Sequence, residues 1–256
     1  MANSSSPLTD VPLLHDEDGT LSLHFAFPTI QSRMLLTDPE RLLLDYTRTM
    51  MGFLLFHARP EQIAMIGLGG GSLAKYCHRR LPECIFTAVE ISPEVIALRS
   101  AFQLPEDDDR FSIVCADGAD FIAGQCAAYD VLLVDGFHRD GQPEQLSTTS
   151  FYDHCRGALR AGGIMVVNLC ADDDRCAIYV KRIEDAFAGK VIVIEADEGE
   201  NLIAFAGTDL TLPREFSDLA GRLRRLEADH PVDLDRTAQK ILRQSGPSGG
   251  RRQRRR

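Results

Sequence analysis

No apolar run in the 256-residue chain approaches the roughly 18 to 20 residues of a membrane span, so no transmembrane helix is expected. The first nineteen residues, MANSSSPLTDVPLLHDEDG, lack a basic opening and a long apolar stretch, and do not read as a secretory leader. Internal repeats at a period of roughly 20 to 50 residues are absent, which excludes solenoids and propellers. So are CxxC pairs. The seven cysteines, at 77, 84, 115, 126, 155, 170 and 176, are scattered and odd in number. That argues against a disulfide framework or a zinc site, and for reduced thiols in a cytoplasmic protein. Cationic charge is scarce: 28 Lys and Arg stand against 38 Asp and Glu, for a net charge of −10. Five of the arginines sit in the closing RRQRRR, which leaves the rest of the chain near −15 by subtraction. An acidic body discourages nucleic acid as a main partner and suits cationic ligands. The basic tail follows QSGPSGG, a flexible-linker composition, and is expected to be disordered over 244–256.

What is present is an α/β alternation. Residues 1–19 are expected to be loose. TLSLHFAF (20–27) and TIQSRMLL (29–36) have strand composition on either side of Pro28 and predict a small β-hairpin. DPERLLLDYTRTMMGFLLF (38–56) predicts a helix begun by Asp38 and Pro39. From Pro60 onward, apolar strands at 62–68, 85–91, 110–117, 129–135 and 163–169 alternate with helices at 72–81, 92–102, near 119–126, 147–160 and 174–189. KVIVIEA and NLIAFAG close the series as a hairpin joined by DEGE. Continuous apolar strands separated by helices predict a parallel sheet covered on both faces, a Rossmann-like doubly wound sheet of seven strands. The domain plan is 20–59 for the N-terminal hairpin and helix, 60–210 for the nucleoside-binding domain, and 211–243 for a polar helical segment. The hairpin and the apolar 42–56 helix are the expected dimer surface.

The stretch MIGLGGGSLAKY (65–76) puts four glycines into five positions, between the first buried strand and the first helix. Glycine costs conformational entropy, so a run of it needs a reason. Here the chain turns at the carboxyl edge of the sheet, where ligands of open α/β sheets bind. Gly67, Gly69, Gly70 and Gly71 either form a bare tight turn or let a nucleotide-type ligand lie close to the backbone. Glu90 ends the second strand, at about the spacing of a ribose-binding acid. Asp117 and Gly118 end the third, where a carboxylate can accept from an adenine amine; Asp135 ends the fourth. Four strands thus deliver Gly, Glu, Asp and Asp to one edge, the pattern of an adenosyl-ligand site. Ser72 at the sixth position of G-x-G-x-x-G weakens a dinucleotide reading.

MIGLGGGSL, AVEISPEVIAL, FSIVCADGADFI, YDVLLVDGF, LSTTSFYDHCRGALRAGGIMVVNL and the N-terminal IQSRM together resemble the spermidine synthase (aminopropyltransferase) family, over roughly residues 20–210. The likeness is to its shorter bacterial members. It implies the class I methyltransferase fold, with strand order 3-2-1-4-5-7-6, and a homodimer. It also implies transfer of an aminopropyl group from decarboxylated S-adenosylmethionine to an amine, releasing methylthioadenosine. Carried over from the family motifs, Gln31, Glu90, Asp117 and Gly118 surround the nucleoside. Tyr46 lies on the substrate side, and Asp135 helps deprotonate the attacking amine. Two departures stand out. Gly70 replaces the Asp of the family's GGGDGG loop, and His138 replaces the second Asp of its Asp-x-x-Asp segment.

An attacking amine must be neutral, and alkylamines have a pKa near 10, so a carboxylate such as Asp135 is needed to orient it and accept its proton. His138 is either a base, a charge-assisted partner of Asp135, or a loop residue without a role. Acidic residues cluster on loops at the same edge: Asp140, Asp172, Asp173, Asp174, Glu195, Asp197, Glu198 and Glu200. They are either a field for a polycation or ordinary solvated loops. No metal is expected. A methyltransferase using S-adenosylmethionine on the same scaffold, and a non-catalytic adenosyl-nucleoside binder, are the alternatives.

Overall fold

The computed structural model describes residues 11–25, 29–138, 141–210 and 216–245. Pro28, Asp140 and the arginine-rich tail lie outside them. Strands β1 (Leu13–Glu17), β2 (Thr20–His24) and β3 (Ser32–Leu35) form a three-stranded antiparallel sheet in that order. β1 corrects the expectation of a loose segment up to residue 19. It pairs with β2 across a turn at Asp18 and Gly19, whose φ values are 50° and 75°. Positive φ at both central residues is the hairpin turn that favours Asp-Gly. Every residue of β1 is exposed, so it shows none of the apolar alternation that marks a half-buried strand.

Helix α1 (Asp45–Met50) runs into a 3₁₀ turn at Met51–Leu55, so the helix expected over 38–56 forms only in its second half. Leu44 is extended (φ −77°, ψ 132°), and the Arg48 guanidinium donates to the carbonyls of Leu42 and Leu43 at 2.9 and 2.7 Å. The arginine thus satisfies carbonyls that a longer helix would have used itself. Met50, Met51, Phe53, Leu54 and Leu55 are buried in the chain's own core. The apolar face assigned to a dimer surface is therefore internal.

The main body follows as β4 (Gln62–Ile66), α2 (Ser72–Arg80), β5 (Ile85–Glu90), α3 (Pro93–Ala97), β6 (Phe111–Cys115), α4 (Gly118–Ala123) and β7 (Tyr129–Val134). Then come α5 (Thr149–Ala158), β8 (Leu159–Cys170), α6 (Cys176–Ala186), β9 (Val191–Glu195), β10 (Asn201–Ala206), α7 (Phe216–Asp229) and α8 (Leu234–Ser245). The seven strands of the body lie in the order β6-β5-β4-β7-β8-β10-β9. Counted from β4 this is 3-2-1-4-5-7-6, the expected order, with β10 antiparallel to both neighbours. α3 is shorter than expected, and Ser92 caps it, accepting from the Val95 N–H at 3.2 Å.

Side chains alternate across the sheet with period two. Ile63 and Met65 of β4, Val131 and Leu133 of β7, and Ile203 and Phe205 of β10 face one core, shared with the 3₁₀ turn, α2, α7 and α8. Ala64 and Ile66, Leu132 and Val134, and Ala204 and Ala206 face the other, under α4, α5 and α6. Each large aliphatic so buried contributes about 1.5–3 kcal/mol. Both faces being sealed, the carboxyl ends of the central strands remain as the place where polar residues meet an opening. All seven cysteines are free thiols. Among the described residues no helix is long and apolar enough to cross a membrane.

Candidate active site

A cleft of about 1710 Å³ opens along the carboxyl edge of β4, β5, β7 and β8, under β3 and the start of α1. Gln31, Tyr46, Gly67, Gly69, Glu90, Asp117, Gly118, Asp135 and His138 all line it. Gly70 and Gly71 do not. A Cβ on Gly70 would lie 2.6 Å from Ser32 Oγ and 2.7 Å from the Phe102 ring, and one on Gly71 would lie 2.2 Å from Leu104. Those two are glycine because the loop is wedged against Ser32, Phe102 and Leu104, which accounts for them without a ligand.

Glu90 is buried, and its carboxylate is held at both ends. Oε2 accepts the Leu68 N–H and Oε1 accepts the Ser92 N–H, each at 2.9 Å. The glycine loop is thereby tied to β5, and the carboxylate keeps lone pairs for hydroxyl donors in the cleft. Asp117 has a local duty as well. It caps α4, with Oδ1 accepting from the N–H groups of Ala119 at 2.7 Å and Asp120 at 3.3 Å. Gly118 has no room for a side chain, since a Cβ would meet Ile66 at 2.3 Å.

Asp135 follows β7, its N–H donating to the Ile66 carbonyl at 2.8 Å. Its carboxylate accepts from Asn168 Nδ2 at 2.8 Å, and Asn168 Oδ1 accepts from Asn201 Nδ2 at 2.9 Å. Burial pushes the Asp135 pKa up from 3.8 to about 6, while hydrogen bonds from Asn168 and Tyr46 pull it down. The Tyr46 phenol is pushed well above its ordinary value by burial first and by Asp135 second. Its hydroxyl also leans on the Gln31 carbonyl at 3.5 Å. Asp135 is thus a carboxylate poised within reach of neutral pH, oriented by a two-amide relay from β8 and β10. The relay escaped sequence reasoning. Its one signal was Asn168, a polar residue interrupting the apolar run of β8.

His138 lines the cleft but is exposed, and no hydrogen bond or ion pair joins its ring to Asp135 among the described residues. Its backbone closes a small bridge with Gly141. The charge-assisted pairing with Asp135 is not formed. Of the acidic loop residues, Asp172, Asp173, Glu198 and Glu200 line the cleft; Asp174, Glu195 and Asp197 do not. Besides Asn168 and Asn201, two charged lining residues were missed, Asp45 and Arg175. Asp45 is buried at the start of α1, its Oδ2 accepting the Glu198 N–H at 2.6 Å. Arg175 pairs with Asp173 at 3.2 Å and holds that carboxyl below its ordinary range.

Fold and cleft together define a class: a Rossmann-like α/β protein with an acidic ligand cleft at the carboxyl edge of its central strands. Comparison with known proteins narrows it. Residues 44–185 match the family model described as spermine/spermidine synthase domain. The polyamine aminopropyltransferase of Chromobacterium violaceum is 36% identical over 238 residues, 93% of this chain and 91% of that protein. The chain belongs to the spermine/spermidine synthase family. Among solved structures, a probable spermidine synthase from Corynebacterium glutamicum superposes with a TM-score of 0.69 at 21% identity, covering 85% of this chain and 82% of its own. Human methyltransferase-like protein 13 in complex with SAH gives 0.62 at 23% identity, covering 77% and 93%. At these identities the two structures speak for the shared fold.

Proposed function

We propose that the protein is an aminopropyltransferase that moves an aminopropyl group from decarboxylated S-adenosylmethionine to a small amine and releases methylthioadenosine. Asp135 carries the reading: a cleft-lining carboxylate with a raised pKa, fixed by Asn168 and Tyr46. In the reaction the amine nitrogen attacks the methylene carbon bonded to the sulfonium sulfur. The C–S bond breaks with its electron pair passing to sulfur, so the leaving group is a neutral thioether that needs no acid. The proton shed by nitrogen passes to Asp135. Glu90 takes the ribose hydroxyls, Asp117 and Gly118 the adenine side, and Gln31 flanks the nucleoside. The backbone of Gly67 and Gly69 lies beneath it, and Gly70 and Gly71 shape that loop. Tyr46 orients Asp135 toward the amine, and His138 faces the amine from the cleft rim. A homodimer in the cytoplasm, without metal or nucleic acid, completes the reading.

Parallel calorimetric titrations test it. Micromolar binding of methylthioadenosine and decarboxylated S-adenosylmethionine, with weak binding of S-adenosylmethionine, is the expected result. A preference for S-adenosylmethionine moves the chain to methyl transfer. Binding of NAD alone overturns both readings.

A pH profile gives a second check. The base works ionised, so kcat/KM of the free enzyme rises about tenfold per pH unit below about 6 and flattens above it. Asn168 lowers the Asp135 pKa, so Asn168→Ala shifts this acid limb to higher pH and leaves the limb set by the amine in place. An unmoved acid limb would assign it to another group. The same pKa has a cost in folding. Between pH 3.8 and about 6 the native state holds a proton that the unfolded chain has lost, so stability falls as pH rises through that window.

A further inference from the structure

Helix α8 lies beyond the stretch matched by the family model, yet it reaches the turn that borders the cleft. That turn, residues 196–200 between β9 and β10, supplies Glu198 and Glu200 to the lining. Nothing apolar holds its middle: Asp197, Glu198 and Glu200 are exposed. Three charged groups from outside the turn hold it instead. Arg236 Nε lies 3.0 Å from Asp197 Oδ1. Lys240 Nζ bonds the same oxygen and also the Glu195 carbonyl, the latter at 2.7 Å. The third group, buried Asp45, accepts the Glu198 N–H. Asp45, Asp197, Arg236 and Lys240 line a second, small polar cavity of about 100 Å³ behind the turn.

We infer that Arg236 and Lys240 are positioning residues that act through Asp197, fixing the Glu198–Glu200 turn as the element that receives the cationic acceptor. The inference rests on the aminopropyl-transfer reading for its acceptor and on the contacts above for its geometry. An acidic turn left to itself repels its own charges and samples many conformations. Two cations on the Asp197 carboxylate and the Asp45 carboxylate on the Glu198 N–H tie it down. Glu198 and Glu200 then keep their charge free for the cleft, because the neutralising cations are spent on Asp197. The relay to Asp135 is insulated from this device. Asn201 pairs with Cys170 in the β8–β10 ladder, so its amide stays in register when the turn loosens.

The test is the double variant Arg236→Met/Lys240→Met, assayed in the full chain with a series of di- and polyamines. Removing two partly exposed ion pairs should raise the KM for the amine roughly three- to tenfold. Turnover at saturating amine and the affinity for methylthioadenosine should hold, and Lys240→Arg alone should leave the KM unchanged. Amide hydrogen exchange at 197–200 should speed up in the double variant, a readout that needs no activity. Unchanged exchange overturns the clamp. Faster exchange with an unchanged amine KM, or an equal loss of nucleoside affinity, overturns its role in receiving the acceptor. A wild-type chain that transfers aminopropyl to no amine overturns the functional reading and with it that role, while the exchange result still decides the clamp.

Discussion

Asp135→Asn should lower kcat by about 10²- to 10⁴-fold, the range for a positioned general base, while methylthioadenosine still binds with wild-type affinity. The substitution keeps the side chain's shape. The new amide oxygen still accepts from Asn168 Nδ2, which meets Asp135 Oδ1 at 2.8 Å. The Tyr46 hydroxyl can accept from the new NH₂ in place of donating to a carboxylate. What disappears is the ability to take a proton. The nucleoside contacts assigned to Glu90 and Asp117 lie on other strands and do not depend on it. Burial raises the Asp135 pKa, so its ionised form is unfavourable to the fold, and the asparagine variant should melt at the same temperature or higher at pH 7. Reduced turnover with undiminished Tm separates a lost base from a damaged fold. Undiminished turnover would remove Asp135 from the chemistry and favour a different base in the cleft.

The sheet was legible because its strands are buried on both faces, and continuous apolar runs such as QIAMI and YDVLLV have few other homes. The site's main-chain frame followed from strand ends: Gly67, Glu90, Asp117 and Asp135 do meet at one cleft. The hidden parts depend on contacts distant in sequence. Helix periodicity over 38–56 was real, but Arg48 captures the carbonyls of Leu42 and Leu43 and so replaces the first helical turns. Gly70 and Gly71 read as ligand-facing because glycine runs at such turns often are; Phe102 and Leu104, thirty residues on, set them instead. Asn168 and Asn201 become a relay only because the antiparallel β10 slots in beside β8. In β1 the Asp18–Gly19 signal was present, and the wholly exposed strand before it drew attention away.

Gly67→Ala should be the most damaging alanine substitution among the described glycines. Gly67 has φ +91°, in the left-handed region that side chains avoid, and a Cβ there would stand 2.3 Å from the Asp135 carbonyl oxygen and 2.8 Å from its carbon. Both partners are backbone and neither can rotate away. The Gly67 N–H is bound to the Val89 carbonyl and the Asp135 N–H to the Ile66 carbonyl, each at 2.8 Å, so relief requires the ends of β4 and β7 to part. Backbone strain of about 1–3 kcal/mol and overpacking of similar size add to a loss of about 2–6 kcal/mol in unfolding free energy. Parting those strand ends also displaces Asp135, and a misplacement near 1 Å costs about a hundredfold in rate. Gly69→Ala is the control. It shares a positive φ of +53°, but its Cβ would meet nothing closer than Ser32 Cβ at 3.7 Å, so it should lose only about 1 kcal/mol. Urea denaturation and kcat for the pair decide the matter. A large loss at 67 with a small one at 69 shows that the first glycine is there to let the loop pass against the end of β7. Equal losses at both would mean that the left-handed turn itself, and not the approach to Asp135, is what the glycines serve.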